Sequence, residues 1–316
     1  MKILISSDYH IRESDNKECS LVLAELLDII KTEGISQHWI LGDIFDTVHP
    51  SPQDLDLFSK FIKDANLPTS IVVARSHESI SQDVSVLNHF GLLNERVQLY
   101  FERAELAPAD YKVLLGHFMV KESLCGFQES ISLSDLKGYK KIFLGHQHRY
   151  QMIAKDYAYH IGSIRFVNFD EAQDDTKYVG ILDLNPVARD LRLKKLTTPI
   201  PMQDIHYASP AKKTQPAARS IESEGELVAY LNSVPAATKL RIIIGDFDHF
   251  KSFLKISAQF RAKFYQFKEK KDFTLTTDLG APAKPDFPDF KQAVEAFLSV
   301  QTIDPEVKKA LLEELK

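Results

Sequence analysis

The sequence predicts an α/β protein, a layered core of β-sheets flanked by helices, followed by a small α/β unit and C-terminal helices. Three observations carry that expectation. Short runs rich in Ile, Val and Leu recur at residues 2–6, 38–41, 70–74, 112–115 and 141–144, with the length and composition of buried strands. Apolar residues at helical spacing lie between the first of these runs. With 316 residues the chain exceeds one typical domain, and its composition loosens and then becomes regular again past residue 205.

Taken in order, residues 17–33 place Leu21, Leu23, Leu26, Leu27 and Ile30 on one helical stripe, and residues 53–64 do the same with Leu55, Phe58 and Ile62. From about 157 to 198 the pattern changes to strands without helices: YAYHIGS, KYVGILDL and LRLKKLTTPI, expected to complete a sheet of the same domain, read as 1–205. Residues 206–223, rich in Pro, Ser, Ala and charge, read as a linker. A compact unit at 224–275 follows, with a helix near 224–233, a strand at 239–245, a helix from Asp246 to about Arg261 and a strand at 263–269. A Pro-rich stretch at 280–288 precedes two short helices, 289–300 and 304–315, within a last segment read as 276–316. They carry Phe290, Val294, Phe297 and Leu298, then Val307, Leu311, Leu312 and Leu315, on apolar faces, as a docking element or as a pair packed back on its own core.

Composition narrows the function classes. A chain 44% hydrophobic and 26% charged is an ordinary globular protein, not a disordered or fibrous one. A net charge of -5 supplies no global positive field, so any phosphate binding must be local. Cys19 and Cys125 lack the spacing of a zinc site, which suggests a reducing compartment. No secretory h-region and no 18-residue apolar stretch occurs, so the expectation is a cytoplasmic protein without a membrane partner.

The chemistry sits directly after the strands. The first ends in Ser7-Asp8-Tyr9-His10, the second in Gly42-Asp43-Ile44-Phe45-Asp46, the third in Ser76-His77-Glu78, the fourth in Gly116-His117 and the fifth in Gly145-His146-Gln147-His148. Ligands of open α/β sheets bind at the carboxyl ends of strands, so these segments can converge on one cavity. Each alone is weak evidence, because a lone Asp-x-His or Gly-His is more often a loop pair or a satisfied core histidine. Five in succession are another matter. Imidazole and carboxylate without thiolate suit Mn²⁺, Fe²⁺ or Zn²⁺ in a catalytic setting, and a carboxylate such as Asp43 can bridge two ions.

This order of motifs resembles the calcineurin-like metallophosphoesterase superfamily, whose pattern is D-x-H, G-D-x-x-D, G-N-H-D/E, G-H and G-H-x-H. More closely it resembles the SbcD-type DNA nuclease subunit, through LGDIFDTVHPSP, GHQHRY and YHIGSIRFVNFDEAQDDTKYVGILDL, over about residues 1–202. The resemblance implies that Asp8, His10, Asp43 and His148 hold one divalent ion, and that Asp43, His117 and His146 hold a second, with Mn²⁺ the expected metal. It implies that His77 positions the scissile phosphate and protonates the leaving oxygen. It further implies a capping role for 224–275, a homodimer, DNA as substrate, and an SbcC-like coiled-coil ATPase bound through the C-terminal helices.

One position departs from the pattern: Ser76 stands where the family has Asn, and Arg75 where it has Gly. A hydroxyl is a poorer ligand than an amide oxygen, so the second ion is expected to be held more weakly, or with help from Glu78 or a water. Asp46 reads as a residue that hydrogen-bonds a ligand from behind. Arg149 and Arg165 read equally as phosphate contacts and as solvated surface charges. Two other functions fit the same motifs: a phosphodiesterase for small diesters, which needs no docking helices, and a DNA-end-binding subunit whose second metal site has decayed at Ser76.

Overall fold

The computed structural model describes residues 1–271 apart from 76, 82–83, 109–110, 125, 127–128, 130, 172–175, 186–189, 208–218 and 265. Ser76, Cys125 and the expected helices at 289–300 and 304–315 therefore lie outside the described residues. The chain divides into two compact units, Met1–Pro201 and Met202–Lys316.

The first unit contains β1 (Lys2–Ser6), α1 (Asn16–Glu33), β2 (Gln37–Ile40), α2 (Pro52–Ala65), β3 (Thr69–Val73), β4 (Ser79–Ser81), β5 (Val84–Ser85), α3 (Asn88–Leu93), β6 (Val97–Phe101), β7 (Arg103–Leu106), β8 (Val113–Gly116), β9 (Lys141–Leu144), β10 (Gln151–Ala154), β11 (Ala158–His160), β12 (Tyr178–Asp183) and β13 (Leu191–Lys195). One sheet runs β13-β12-β1-β2-β3-β6 and a second runs β10-β11-β9-β8-β7. β1, β2, β3 and β6 are parallel, as are β8, β9 and β11, while β12 is antiparallel to β1.

Strand alternation explains the layers. Ile3, Ile5, Trp39, Leu41 and Val72 face one way and pack against Val113, Leu115, Phe143 and Tyr159 of the second sheet. Leu4, Ile40, Ile71 and Val73 face the other way, onto Val22, Leu26 and Ile29 of α1 and Phe58, Phe61 and Ile62 of α2. Burying each such side chain contributes about 1.5–3 kcal/mol. Because both faces of these strands are covered, they read as continuous apolar runs. Helix ends are equally explicit. Ser51 and Asp54 form a capping box around Pro52, and α1 stops at Gly34 with φ +64°.

Several expectations need correction. Leu21, expected on the apolar stripe of α1, is 47% exposed, the buried face being carried by Cys19, Val22 and Ile29 with Leu23, Leu26 and Ile30. The strands within 157–198 do not complete one sheet: β11 joins the second and β12 and β13 the first. β6, β7 and β10 are absent from the sequence expectation, being short and only partly apolar.

The second unit contains β14 (Met202–Tyr207), β15 (Arg219–Ile221), α4 (Glu224–Ser233), β16 (Lys239–Ile244), α5 (Phe247–Arg261) and β17 (Gln266–Lys271). Its sheet, β15-β14-β16-β17, is parallel throughout. Ile205, Ile242 and Ile244 pack beneath Leu227 and Leu231 of α4 and Phe250 and Phe253 of α5. The division after Pro201 precedes the expected boundary at 205, and β14 and β15 occupy parts of the expected first domain and linker. The reason is physical: β14 pairs with β16 through the register Met202↔Lys239, a non-local ladder that local composition does not reveal.

Candidate metal centre

The carboxyl ends of β1, β2, β3, β8 and β9 meet, because their following loops are laced together by backbone hydrogen bonds. Asp8 N–H donates to Gly42 O at 3.0 Å, His10 N–H to Asp43 O at 2.9 Å and Gly145 N–H to Gly116 O at 2.9 Å. In this lacing Asp8, His10, Asp43 and His146 adopt φ values of +51°, +46°, +50° and +74°, a left-handed region that side chains enter at a cost of about 1–3 kcal/mol each. Four of the expected ligand positions thus share a backbone state that is uncommon outside glycine. Gly42, at φ +90°, and Gly145 serve the same convergence. A Cβ on either would stand 2.7 Å from His117 Nδ1, and on Gly145 also 2.4 Å from Leu41 O.

Arg165 offsets part of that strain. Its guanidinium is fully buried, donates to the carbonyls of Tyr9 (2.9 Å) and His10, and pairs with Asp15 at 2.8 Å and Glu18 at 3.2 Å. Neither reading of Arg165 as a phosphate contact or a surface charge stands, since it braces the Asp8–His10 turn from within. Arg149, by contrast, is exposed, beside a cleft of about 470 Å³ bordered by Leu124, His146, His148, Asn168 and Asp170.

Three groups of side chains bring ligand atoms within 4.8 Å of one another: Asp8, His10 and His148; His10, Asp43 and His77; and Asp8, Asp43 and His117. Asp8, Asp43 and His10 are 0%, 2% and 3% exposed. His10 Nε2 lies 3.6 Å from Asp43 Oδ2, His148 Nε2 3.8 Å from Asp8 Oδ1, His117 Nε2 3.2 Å from Asp43 Oδ2 and His77 Nε2 3.9 Å from Asp43 Oδ2. His146 stands at the edge of this arrangement. Its ring lies 5.3 Å from that of His117, its side chain belongs to none of the three groups, and its backbone N–H donates to Asp8 Oδ1 at 3.1 Å.

The hydrogen bonds fix which ring nitrogen of each histidine faces inward. His10 Nδ1 contacts Asp46 Oδ1 at 3.0 Å and His148 Nδ1 contacts Glu171 Oε1 at 2.9 Å. His117 Nδ1 donates to Leu41 O at 2.6 Å and His77 Nδ1 to Asp46 O at 3.1 Å. Carboxylates and carbonyls only accept, so each Nδ1 carries hydrogen and each Nε2 is left facing inward, for a metal ion or a second proton. His10 Nε2 and His148 Nε2 then face each other at 3.0 Å, an arrangement that a cation or a proton between them must stabilise. His117 Nε2 is buried with no hydrogen bond although Asp43 stands beside it. An orphaned buried nitrogen aimed at a carboxylate is what a metal ligand requires, and the donor set fits divalent ions.

Electrostatics agree. Burial alone would lower the pKa of His117, but Asp43 and Asp8 outweigh it and push it up to about 9, while Asp43, despite burial, is held down to about 2 by His117, His10 and His77. A proton on His117 and a metal ion on its Nε2 are alternatives, so ion binding releases a proton.

Of the remaining expected residues, Asp46 joins His10 through Oδ1 and Arg12 through Oδ2, as a ligand-backing group. Glu78 does not help the second ion. It is fully buried, its oxygens accept the N–H groups of Ala74 (2.9 Å) and Ile44, and burial pushes it up to about 8, so it staples the loop after β3 to the loop after β2. Sequence reasoning missed Ser7, whose hydroxyl donates to Asp8 Oδ2, and Glu171, whose only signal was its place in the acidic loop FDEAQDD. Among the described residues no helix is long and apolar enough to cross a membrane.

No family model matches the chain. Over 104 residues it is 31% identical to a protein of Escherichia phage T5 described as "Probable exonuclease subunit 1", a match covering 30% of this chain and 32% of that protein. The chain thus spans about a third of the curated relative it matches. Among solved structures, a Thermus thermophilus protein aligns with TM-score 0.40 and 13% identity over 61% of this chain and 98% of that one. YfcE, a phosphoesterase from E. coli, aligns with TM-score 0.33 and 12% identity over 62% and 100%. The Pseudomonas putida nuclease MPE aligns with TM-score 0.32 and 13% identity over 61% and 87%.

Proposed function

We propose that the chain is a metal-dependent phosphodiesterase acting on DNA, an exonuclease and endonuclease of the SbcD type. The observation that carries this reading is the inward convergence of Asp8, His10, Asp43, His117 and His148, with imidazole Nε2 atoms directed at two buried carboxylates. The partial match to a phage protein described as an exonuclease subunit supports the choice of a nucleic acid as substrate.

In this reading Asp8, His10, Asp43 and His148 would hold one divalent ion, and Asp43 and His117, with His146 at the edge of the cluster, would hold a second. Two such ions, with Mn²⁺ the expected metal, supply Lewis acidity and a hydroxide nucleophile when bound. The residues of the chain do the rest. Asp43, shared by both halves, fixes their spacing. His77, half-exposed and anchored through Nδ1 to Asp46 O, keeps Nε2 available to give a proton to the departing oxygen. Arg149, exposed beside the cleft next to His146 and His148, is placed to meet the diester backbone.

The finer assignment rests on the sequence pattern. The unit from Met202 onward acts as a cap, the helices at 289–300 and 304–315 dock a coiled-coil ATPase of the SbcC type, and the chain pairs with a second copy of itself. The test is Mn²⁺-dependent cleavage of a duplex end and of a small diester by the full chain, by His77→Ala and by Ser76→Asn. Duplex cleavage that is lost in His77→Ala is the expected result. Hydrolysis of the small diester alone would sink the nuclease reading. Cleavage seen only after Ser76→Asn would mark a decayed site.

A further inference from the structure

We propose that Glu171, held by Lys177, is a positioning residue of the metal centre: it locks His148 with its proton on Nδ1 and thereby makes the Asp8, His10 and His148 half the tighter ion site. The inference rests on the metal-centre reading above and concerns a residue that lies in none of the five strand-end motifs.

Glu171 ends a short 3-10 turn, Phe169–Glu171, 23 positions after His148, and is 6% exposed. Its carboxylate is surrounded by donors. Oε1 accepts His148 Nδ1–H at 2.9 Å and the N–H groups of Val167 and Asn168 at 3.2 and 3.0 Å. Oε2 accepts the Ser163 hydroxyl at 3.2 Å and Lys177 Nζ at 2.5 Å. Each of these neighbours donates, so the hydrogen shared with the ring sits on His148 Nδ1, and Nε2 is left facing Asp8.

Lys177, 2% exposed, ties the same carboxylate to the ligand's own backbone by donating to His148 O at 3.1 Å, with the Phe166 ring 4.8 Å from its ammonium. The backbone N–H of Ser163 also donates to His148 O, at 3.0 Å. His148 is therefore gripped at both its ring and its main chain by one network.

Carboxylate backing raises the basicity of an imidazole ligand and fixes its orientation, and losing such a partner typically costs 10–100-fold in metal affinity. His10 is backed by Asp46 in the same way, whereas His117, in the other half, is backed only by the carbonyl of Leu41. The two halves are unequal for that reason.

The experiment titrates Mn²⁺ calorimetrically into the full chain, Glu171→Gln and Lys177→Met, and reads the histidine tautomers of the metal-free proteins by ¹⁵N imidazole NMR. An amide cannot accept at both oxygen positions, so in Glu171→Gln the tighter event weakens by about 10–100-fold while the weaker one holds, and His148 Nδ1 no longer reads as fully protonated. Wild-type affinity at the tighter site, equal weakening of both events, or an unchanged tautomer overturns the proposal. Lys177→Met, which leaves the carboxylate in place, gives a smaller loss confined to the tighter event and carries the test if Glu171→Gln does not fold; unchanged affinity there also overturns it. Absence of any Mn²⁺ binding by the wild-type chain defeats the metal-centre reading instead, and the tautomer measurement then still decides what Glu171 does to His148.

Discussion

The two halves of the ligand cluster use the same residue type with different support. On one side His10 and His148 lean on the carboxylates of Asp46 and Glu171; on the other His117 leans on the main-chain carbonyl of Leu41. A carboxylate behind an imidazole draws its proton and sharpens the lone pair in front, while a carbonyl mainly fixes direction. An ion held by the first pair of rings is expected to stay, and one held on the His117 side to exchange. Identical ligands therefore do not imply identical sites.

The largest effect comes from removing what the halves share. Asp43 Oδ2 lies within 3.9 Å of the Nε2 atoms of His10, His77 and His117. Asp43→Asn replaces the shared charge by an amide, so Mn²⁺-dependent phosphodiester cleavage should fall to background and both calorimetric events should weaken. Retention of one event at wild-type affinity would show that the halves do not share Asp43. His77→Ala comes next. A positioned general acid typically contributes 10²–10⁴-fold, so kcat should fall by about that factor with Mn²⁺ affinity retained. Because His77 Nε2 also falls in a ligand group with His10 and Asp43, loss of an ion in this variant would reassign it as a ligand.

Much of this arrangement was legible in the sequence because it is local. The strands ending in Asp8-x-His10, Gly42-Asp43, His117 and His146-x-His148 were visible as apolar runs followed by chemistry, and each lies where a strand stops. What escaped is non-local. Arg165 reaches the carbonyls of Tyr9 and His10 across more than 150 positions, and its burial cannot be read from its neighbours. Glu171 backs His148 from a turn within an acidic loop that reads as solvated, and β14 belongs to the second unit's sheet through a ladder with β16. Charge at a loop position is a poor guide to exposure when the partner is a distant ligand or backbone.

A backbone change can divide the halves without touching a ligand. Gly42 sits at φ +90°, and an added Cβ would stand 2.7 Å from His117 Nδ1 and 3.1 Å from Val72 O. Gly42→Ala should cost about 1–3 kcal/mol in urea unfolding, since neither the left-handed angle nor the contact can be relieved cheaply. His117 is displaced while His148 is not, so the weaker Mn²⁺ event should suffer more than the tighter one. Equal loss in both would mean that the halves move as one body.

The smallest effect uses a histidine with no carboxylate behind it as the reference for all the others. His38 is fully buried, with Nε2 2.7 Å from the Ser6 hydroxyl, and burial drives its pKa down to about 3, whereas buried His117 beside Asp43 and Asp8 is pushed up to about 9. Below an unfolded value of about 6.5 the unfolded chain binds a proton at this position that the folded chain refuses. Stability from neutral His38 is therefore full above about pH 6.5 and falls as the pH drops toward about 3, with a limiting slope of about 1.4 kcal/mol per pH unit. His38→Gln keeps a hydrogen-bonding side chain without titrating there, so urea midpoints of wild type and variant should converge between about pH 7 and 5. A constant difference across that range would mean that His38 is protonated in the fold, and would remove the reference against which the neighbouring Asp43 and Asp8 raise His117.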